Sequence, residues 1–170
     1  MAKRVLLFSL QVSGEGSRGH MNPMIAVAAW LRKLGCDVGW ASLPMPMSGS
    51  GRQLVENLDV KVLDTPAMPP GIIKSSEELS RLALNPETIW QCYQSFLLEP
   101  LSNRVDPARD IIGAFKPDVI ALDSMCYAGI IGAHLTGTPY VGICAGLKTL
   151  GESFADCYMG NMDRIVDSRR

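Results

Sequence analysis

The sequence predicts an α/β fold, an open parallel sheet flanked by helices. Three observations predict it. Short apolar runs alternate with stretches whose apolar residues recur at helical spacing. Gly, Pro, Asp and Ser punctuate the ends of these segments. The first apolar run, Val5-Leu6-Leu7-Phe8-Ser9-Leu10, feeds a glycine-rich stretch, Gly14-Glu15-Gly16-Ser17-Arg18-Gly19, which leads through His20 into a helix. An open α/β sheet places its ligands at such a strand-to-helix junction.

The first strand is expected over about Arg4 to Leu10. Asn22 is a good N-cap and Pro23 suits the first helical position, where its missing N–H is no loss. The first helix is therefore expected from Pro23 to Leu34, with Ile25, Val27, Ala28, Leu31 and Leu34 at helical spacing and Gly35 as its stop. A second strand follows over Asp37 to Leu43, ended by Pro44 and Pro46. The polar turn Ser48 to Gly51 leads into a short helix, Arg52 to Asn57, and a third strand, Val60 to Leu63. Pro66, Pro69, Pro70 and Gly71 mark a long loop of the kind that often lines a site.

Ser75-Ser76-Glu77-Glu78 opens a short helix. Asn85-Pro86-Glu87 opens another, with Ile89, Trp90, Tyr93, Phe96 and Leu97 on one face, bent or ended by Pro100. Asp106-Pro107 starts a third, ending near Phe115. The fourth strand is Asp118 to Leu122, and Asp123 and Ser124 punctuate its end. A small-residue helix, about Met125 to Leu135, stops at Gly137. The fifth strand is Tyr140 to Cys144, and a last helical region covers about Glu152 to Ile165. Right-handed crossovers between parallel strands give the order 3-2-1-4-5.

Composition narrows the class of function. A chain of 170 residues fits one domain with a sizeable core. With 19% charged and 47% apolar residues it is not of a disordered type. A net charge of -1, without a basic run, argues against a nucleic-acid partner. The five cysteines (Cys36, Cys92, Cys126, Cys144, Cys157) are scattered and odd in number. None forms a C-x-x-C pair, so no structural metal site or disulfide framework is read, and buried free thiols in a reducing, cytoplasmic setting are expected. Lys3-Arg4 and the apolar run after it imitate a short signal peptide, but the run is brief and no small-residue cleavage site follows. No stretch is long and apolar enough to span a bilayer.

The strand order reverses between the first and fourth strands, and a crevice opens there at their carboxyl ends. His20 and Asp123 lie just past those ends. Histidine moves protons near neutral pH, and an adjacent aspartate holds its second ring nitrogen, fixes the tautomer and stabilises imidazolium. His20 and Asp123 are therefore a candidate base and its orienter. Taken singly each has a plainer reading, a structural loop histidine and an aspartate N-cap.

Gly14-x-Gly16-x-x-Gly19 formally matches the dinucleotide fingerprint. The fingerprint wants its last glycine against the helix start, and here His20, Met21 and Asn22 intervene before Pro23. It also wants an acid at the end of the second strand, which instead reads Ala41-Ser42-Leu43-Pro44. Met21, Met45, Met47, Met68 and Met125 all fall near predicted carboxyl ends of strands. Methionine suits permissive apolar pockets, so an apolar small-molecule site beside His20 is one reading and core filling the other. His134 lies in the last turn of a helix, where positive charge is favourable, and is assigned no chemistry.

Gly19-His20-Met21-Asn22-Pro23-Met24, with Ala26-Val27-Ala28 and Leu31-Arg32-Lys33-Leu34-Gly35-Cys36-Asp37-Val38, resembles the opening of GT-B glycosyltransferases of family 1. This is the branch that acts on natural products, lipids and macrolides. Lys116-Pro117-Asp118-Val119-Ile120-Ala121-Leu122-Asp123, Ala128-Gly129 and Gly137-Thr138-Pro139-Tyr140-Val141 resemble that family's next signature. The resemblance implies a Rossmann-like N-terminal, acceptor-binding domain over residues 1–170, one half of a GT-B architecture. It implies transfer of a sugar with inversion from a nucleotide sugar, a co-substrate rather than a cofactor, to a hydroxyl of an apolar small molecule or lipid.

In that scheme His20 is the general base and Asp123 orients it. Gly19, Met21, Asn22, Met45, Met68 and Met125 are the candidate acceptor-binding residues, and no metal is involved. Cys36 stands where the family usually has histidine. Nothing in these residues resembles the family's nucleotide-sugar domain, so the isolated chain is expected to transfer little or no sugar. A lipid acceptor implies contact with a membrane surface, though no amphipathic basic helix supports it. Two other readings stay open. One is a non-catalytic binding module, or a split-enzyme subunit that needs a partner chain. The other is a dinucleotide-dependent oxidoreductase.

Overall fold

The computed structural model describes residues 2–11, 18–47, 49–68, 76–85 and 87–143. Five strands, β1 (Arg4–Gln11), β2 (Asp37–Pro44), β3 (Lys61–Val62), β4 (Val119–Asp123) and β5 (Tyr140–Ile143), form one sheet in the order β3-β2-β1-β4-β5. All pairings are parallel. Between them lie α1 (Arg18–Lys33), α2 (Gly49–Glu56), α3 (Ser76–Ala83), α4 (Ile89–Tyr93), α5 (Val105–Phe115) and α6 (Tyr127–Thr136). The strand order is the one the sequence predicts.

Both faces of β1 are covered, which is why it reads as an unbroken apolar run rather than an alternating one. Leu6 and Phe8 pack with Leu43, Ile120 and Leu122 under Ala108, Ile112 and Phe115 of α5 and Ala128 and Ala133 of α6. Val5 and Leu7 pack with Val38 and Trp40 under Met21, Met24 and Ala28 of α1 and Val55 of α2. On this second face Trp40 Nε1–H donates to Ser9 Oγ at 2.8 Å, and Ser9 Oγ and Ser42 Oγ are bonded at 2.7 Å. The buried hydroxyls and indole thus satisfy one another, as buried polar groups must.

At the opposite edge, the acids that precede or open strands hold Arg4. Its N–H donates to Asp118 Oδ2 at 2.8 Å and its Nε–H to Asp37 Oδ2 at 3.2 Å. Its guanidinium lies 4.5 Å from the Phe115 ring centre, a cation–π contact. Asp37 is therefore at the amino edge of the sheet, remote from the carboxyl ends.

Several element boundaries depart from the sequence reading. Helix α1 begins at Arg18, not Pro23, so Asn22 is an exposed residue inside it rather than its cap. Pro23 stands within the helix, where it has no N–H to give the carbonyl of Gly19. Cap preferences act locally, and here the turn before Pro23 gains tertiary contacts through His20 and buried Met21. Helix α2 starts at Gly49 rather than Arg52, and β3 shrinks to two residues. Helix α4 continues as a π-helical turn over Gln94–Leu98, and Leu101–Asn103 form a 3-10 turn before α5. Asp123 is the last residue of β4 rather than a residue beyond it, and α6 begins at Tyr127 rather than Met125.

Gly14 and Gly16, the Pro69-Pro70-Gly71 stretch, Cys144, Cys157 and the expected helix over Glu152 to Ile165 lie outside the described residues. Cys36, Cys92 and Cys126 are free thiols, the last two buried. Among the described residues no helix is long and apolar enough to cross a membrane.

Candidate active site

Strand β4 lies beside β1, with Leu122 in register with Phe8. Asp123 therefore emerges at the carboxyl edge of the sheet, next to the end of β1. Its alternation with Leu122, which faces α5 and α6, turns its side chain to the α1 face. Helix α1 starts at that same edge, and its first turn carries His20. The result is a bond of 2.7 Å between His20 Nδ1 and Asp123 Oδ2.

The two partners have opposite environments. Asp123 is fully buried, while the His20 side chain is 31% exposed. The second carboxylate oxygen, Oδ1, accepts the backbone N–H of Met125 at 2.8 Å. Cys126 N–H donates to the backbone carbonyl of Asp123 at 2.8 Å. Both carboxylate oxygens are thereby engaged, one by the chain that follows and one by the imidazole. The bond from Asp123 raises the pKa of His20 above the ordinary histidine value; partial burial opposes the shift and the charge of Asp123 adds to it.

An aspartate accepts only, so Nδ1 carries the proton of the neutral ring and Nε2 keeps its lone pair. Such a ring takes a proton at Nε2, and Asp123 stabilises the imidazolium that results. Cys126, the residue after Met125 in that turn, is not a reactive thiol. Burial pushes its thiol up to about 12.

The other candidate residues are distributed unevenly. Gly19 is exposed in the first turn of α1, and a Cβ there would meet nothing within 4 Å. Asn22 is exposed on the same helix. Met21 is buried in the core, close under Gly51 of α2, whose added Cβ would lie 3.2 Å from Met21 Cε. Met45, Met68 and Met125 are half-buried, and Met47 is buried. His134 is exposed in the last turn of α6.

One objection to the dinucleotide fingerprint falls with the new helix start, since Gly19 stands in the first turn of α1. The other stands. The end of β2, Ala41-Ser42-Leu43-Pro44, offers no acid for ribose hydroxyls, and Asp37 is engaged by Arg4 at the far edge. One charged residue at this end escaped the sequence reading. Arg104, just before α5, is 2% exposed. Nothing local signals this, because it sits among polar residues in a stretch that reads as surface.

No family model matches the sequence, and no curated protein matches it either. Solved structures do. The glycosyltransferase VinC, crystallised in complex with dTDP, superposes with a TM-score of 0.59 at 20% identity over 93% of this chain and 38% of its own. The glycotransferase of kitacinnamycin gives 0.61 at 17% identity over 98% of this chain and 35% of its own. SnogD, a glycosyltransferase from Streptomyces nogalater, gives 0.59 at 17% identity over 99% and 41%. The chain thus has the fold of one half of a GT-B glycosyltransferase, and it spans between 35% and 41% of the length of these three structures.

Proposed function

We propose that this chain is the acceptor-binding half of an inverting glycosyltransferase, with His20 as general base and Asp123 as the residue that positions it. The observation that carries the reading is the 2.7 Å bond between His20 Nδ1 and Asp123 Oδ2 at the carboxyl ends of neighbouring strands. A hydroxyl of an apolar acceptor is held against Nε2 of His20. As its oxygen attacks the anomeric carbon of a nucleotide sugar from the face opposite the nucleotide, the C–O bond to the diphosphate breaks. The hydroxyl proton passes to Nε2, and the electron pair leaves with the diphosphate. Backside attack inverts the anomeric centre.

Imidazolium then stands against the carboxylate of Asp123, whose buried charge is fixed by the Met125 N–H. The neutral ring already donates Nδ1–H to this carboxylate, and the imidazolium gains more from the same contact, so the stabilisation grows toward the transition state. The solved relatives are more than twice as long, and VinC was crystallised with dTDP. A second half that holds the nucleotide sugar is accordingly part of the proposal, and the residues described here transfer little sugar by themselves.

The test is sugar transfer by this chain together with a nucleotide-sugar-binding half, wild type against His20→Ala. Base catalysis is worth about 10²–10⁴-fold, so kcat is expected to fall by that order while acceptor affinity changes little. Equal turnover by the two proteins removes His20 from the chemistry.

A further inference from the structure

The guanidinium of Arg104 is buried without a carboxylate partner among the described residues. Its Nη1–H donates to the carbonyl of Pro66 at 2.6 Å, which fixes the plane of the group. Among the described residues Nε and Nη2 have no hydrogen-bond partner. These two N–H groups form the side-on fork of an arginine, two parallel donors at the spacing of two carboxylate oxygens. Buried arginines are almost always paired, because an uncompensated buried charge is strongly destabilising. Burial here also lowers the pKa of Arg104.

Arg104 lines a cavity of about 20 Å³ at the carboxyl edge of the sheet. Leu10 and Leu43 lie there near the ends of β1 and β2, while Leu97, Leu101 and Met125 close the walls. Among the described residues Arg104 is the single charged side chain in that lining. The space holds one small polar head and little else, since a water needs about 10–15 Å³. Met125 belongs to both places. It lines the cavity, and its N–H holds Asp123. The cavity opens on the α5 and α6 face of the same edge that His20 reaches from the α1 face.

We infer that Arg104 is the specificity-determining residue of the acceptor site and takes a carboxylate on its Nε and Nη2 edge. The ligand class is an apolar small molecule bearing a carboxylate, its head in the cavity and its body outside the cavity mouth. The inference rests on the reading of this chain as an acceptor-binding half, and it adds an acidic group to the acceptor.

The experiment follows the Arg104 side-chain Nε–H by NMR in the ¹⁵N-labelled 170-residue chain, with the resonance assigned by its loss in Arg104→Lys. Benzoate is the probe and benzyl alcohol its neutral counterpart. Benzoate is expected to shift the resonance saturably and benzyl alcohol to leave it in place. Arg104→Lys keeps the charge but lacks the fork, and should weaken benzoate binding at least about tenfold. A resonance indifferent to benzoate up to its solubility limit means that a water fills the cavity, and overturns the inference. Unchanged benzoate affinity in Arg104→Lys overturns it as well. Should that variant not fold, Arg104→Gln supplies the assignment and the wild-type titration decides. Benzoate binding with transfer that ignores His20→Ala leaves the anion site and removes the transferase reading. A His20-dependent transferase that ignores benzoate does the reverse.

Discussion

The carboxylate of Asp123 has no exposure to solvent, yet it reaches the partly exposed imidazole of His20 at 2.7 Å. One of its oxygens serves the ring and the other serves the Met125 N–H. That division of labour makes the site sensitive to loss of a single acceptor atom.

Asp123→Asn keeps the size of the side chain but leaves one acceptor for two donors. If the amide oxygen stays with the Met125 N–H, its NH₂ faces His20 Nδ1. The ring must then present a lone pair at Nδ1 and carry its proton on Nε2, the wrong tautomer for a base. Turnover is expected to fall about 10²–10⁴-fold. The acid limb of the pH–rate profile, which reports imidazolium losing its proton, should move to lower pH, because the bond that raises the His20 pKa is gone. Profiles of kcat/KM for both proteins check the two effects together. An unmoved limb separates His20 from Asp123 in catalysis.

The same bond makes stability depend on pH. The folded-state pKa of His20 is raised above its unfolded value of 6.5. The folded state therefore holds the proton more tightly, and its extra stability is fully present below the unfolded pKa. That stability is lost as pH rises through the folded pKa. Denaturant midpoints of wild type should fall relative to those of His20→Gln as pH is raised across this window. Parallel curves for the two proteins would show that the bond contributes nothing to folding.

Gly39 in β2 leaves room for Phe115 of α5. A Cβ at position 39 would lie 2.8 Å from Phe115 Cε2, and Phe115 is itself buried under the Arg4 guanidinium. The ring cannot swing aside without disturbing both. Gly39→Ala is expected to cost about 1–3 kcal/mol by overpacking, despite alanine's smaller backbone entropy cost. Urea unfolding measures it. A neutral or stabilising result would mean that the helix shifts freely on the sheet.

Much of the architecture was legible because parallel strands buried on both faces leave continuous apolar runs. Val5 to Leu10 and Val119 to Leu122 announce themselves that way. The strand order expected of alternating strands and helices is the one found, and it brings the ends of β1 and β4, with His20 and Asp123, to one edge. Helix starts were less legible. Asn22-Pro23 is a sound local start signal, but the extra turn from Arg18 is stabilised by contacts that no local pattern records.

The amino-acid sequence by itself determined the layer architecture and the pairing of His20 with Asp123, since hydrophobic periodicity and crossover handedness are properties of the chain. Only the tertiary structure decided that Met21 belongs to the core and that Arg104 is buried with its fork unpaired. Burial depends on what other segments place around a side chain. A methionine or an arginine carries no mark in its own neighbours of which surroundings it will meet.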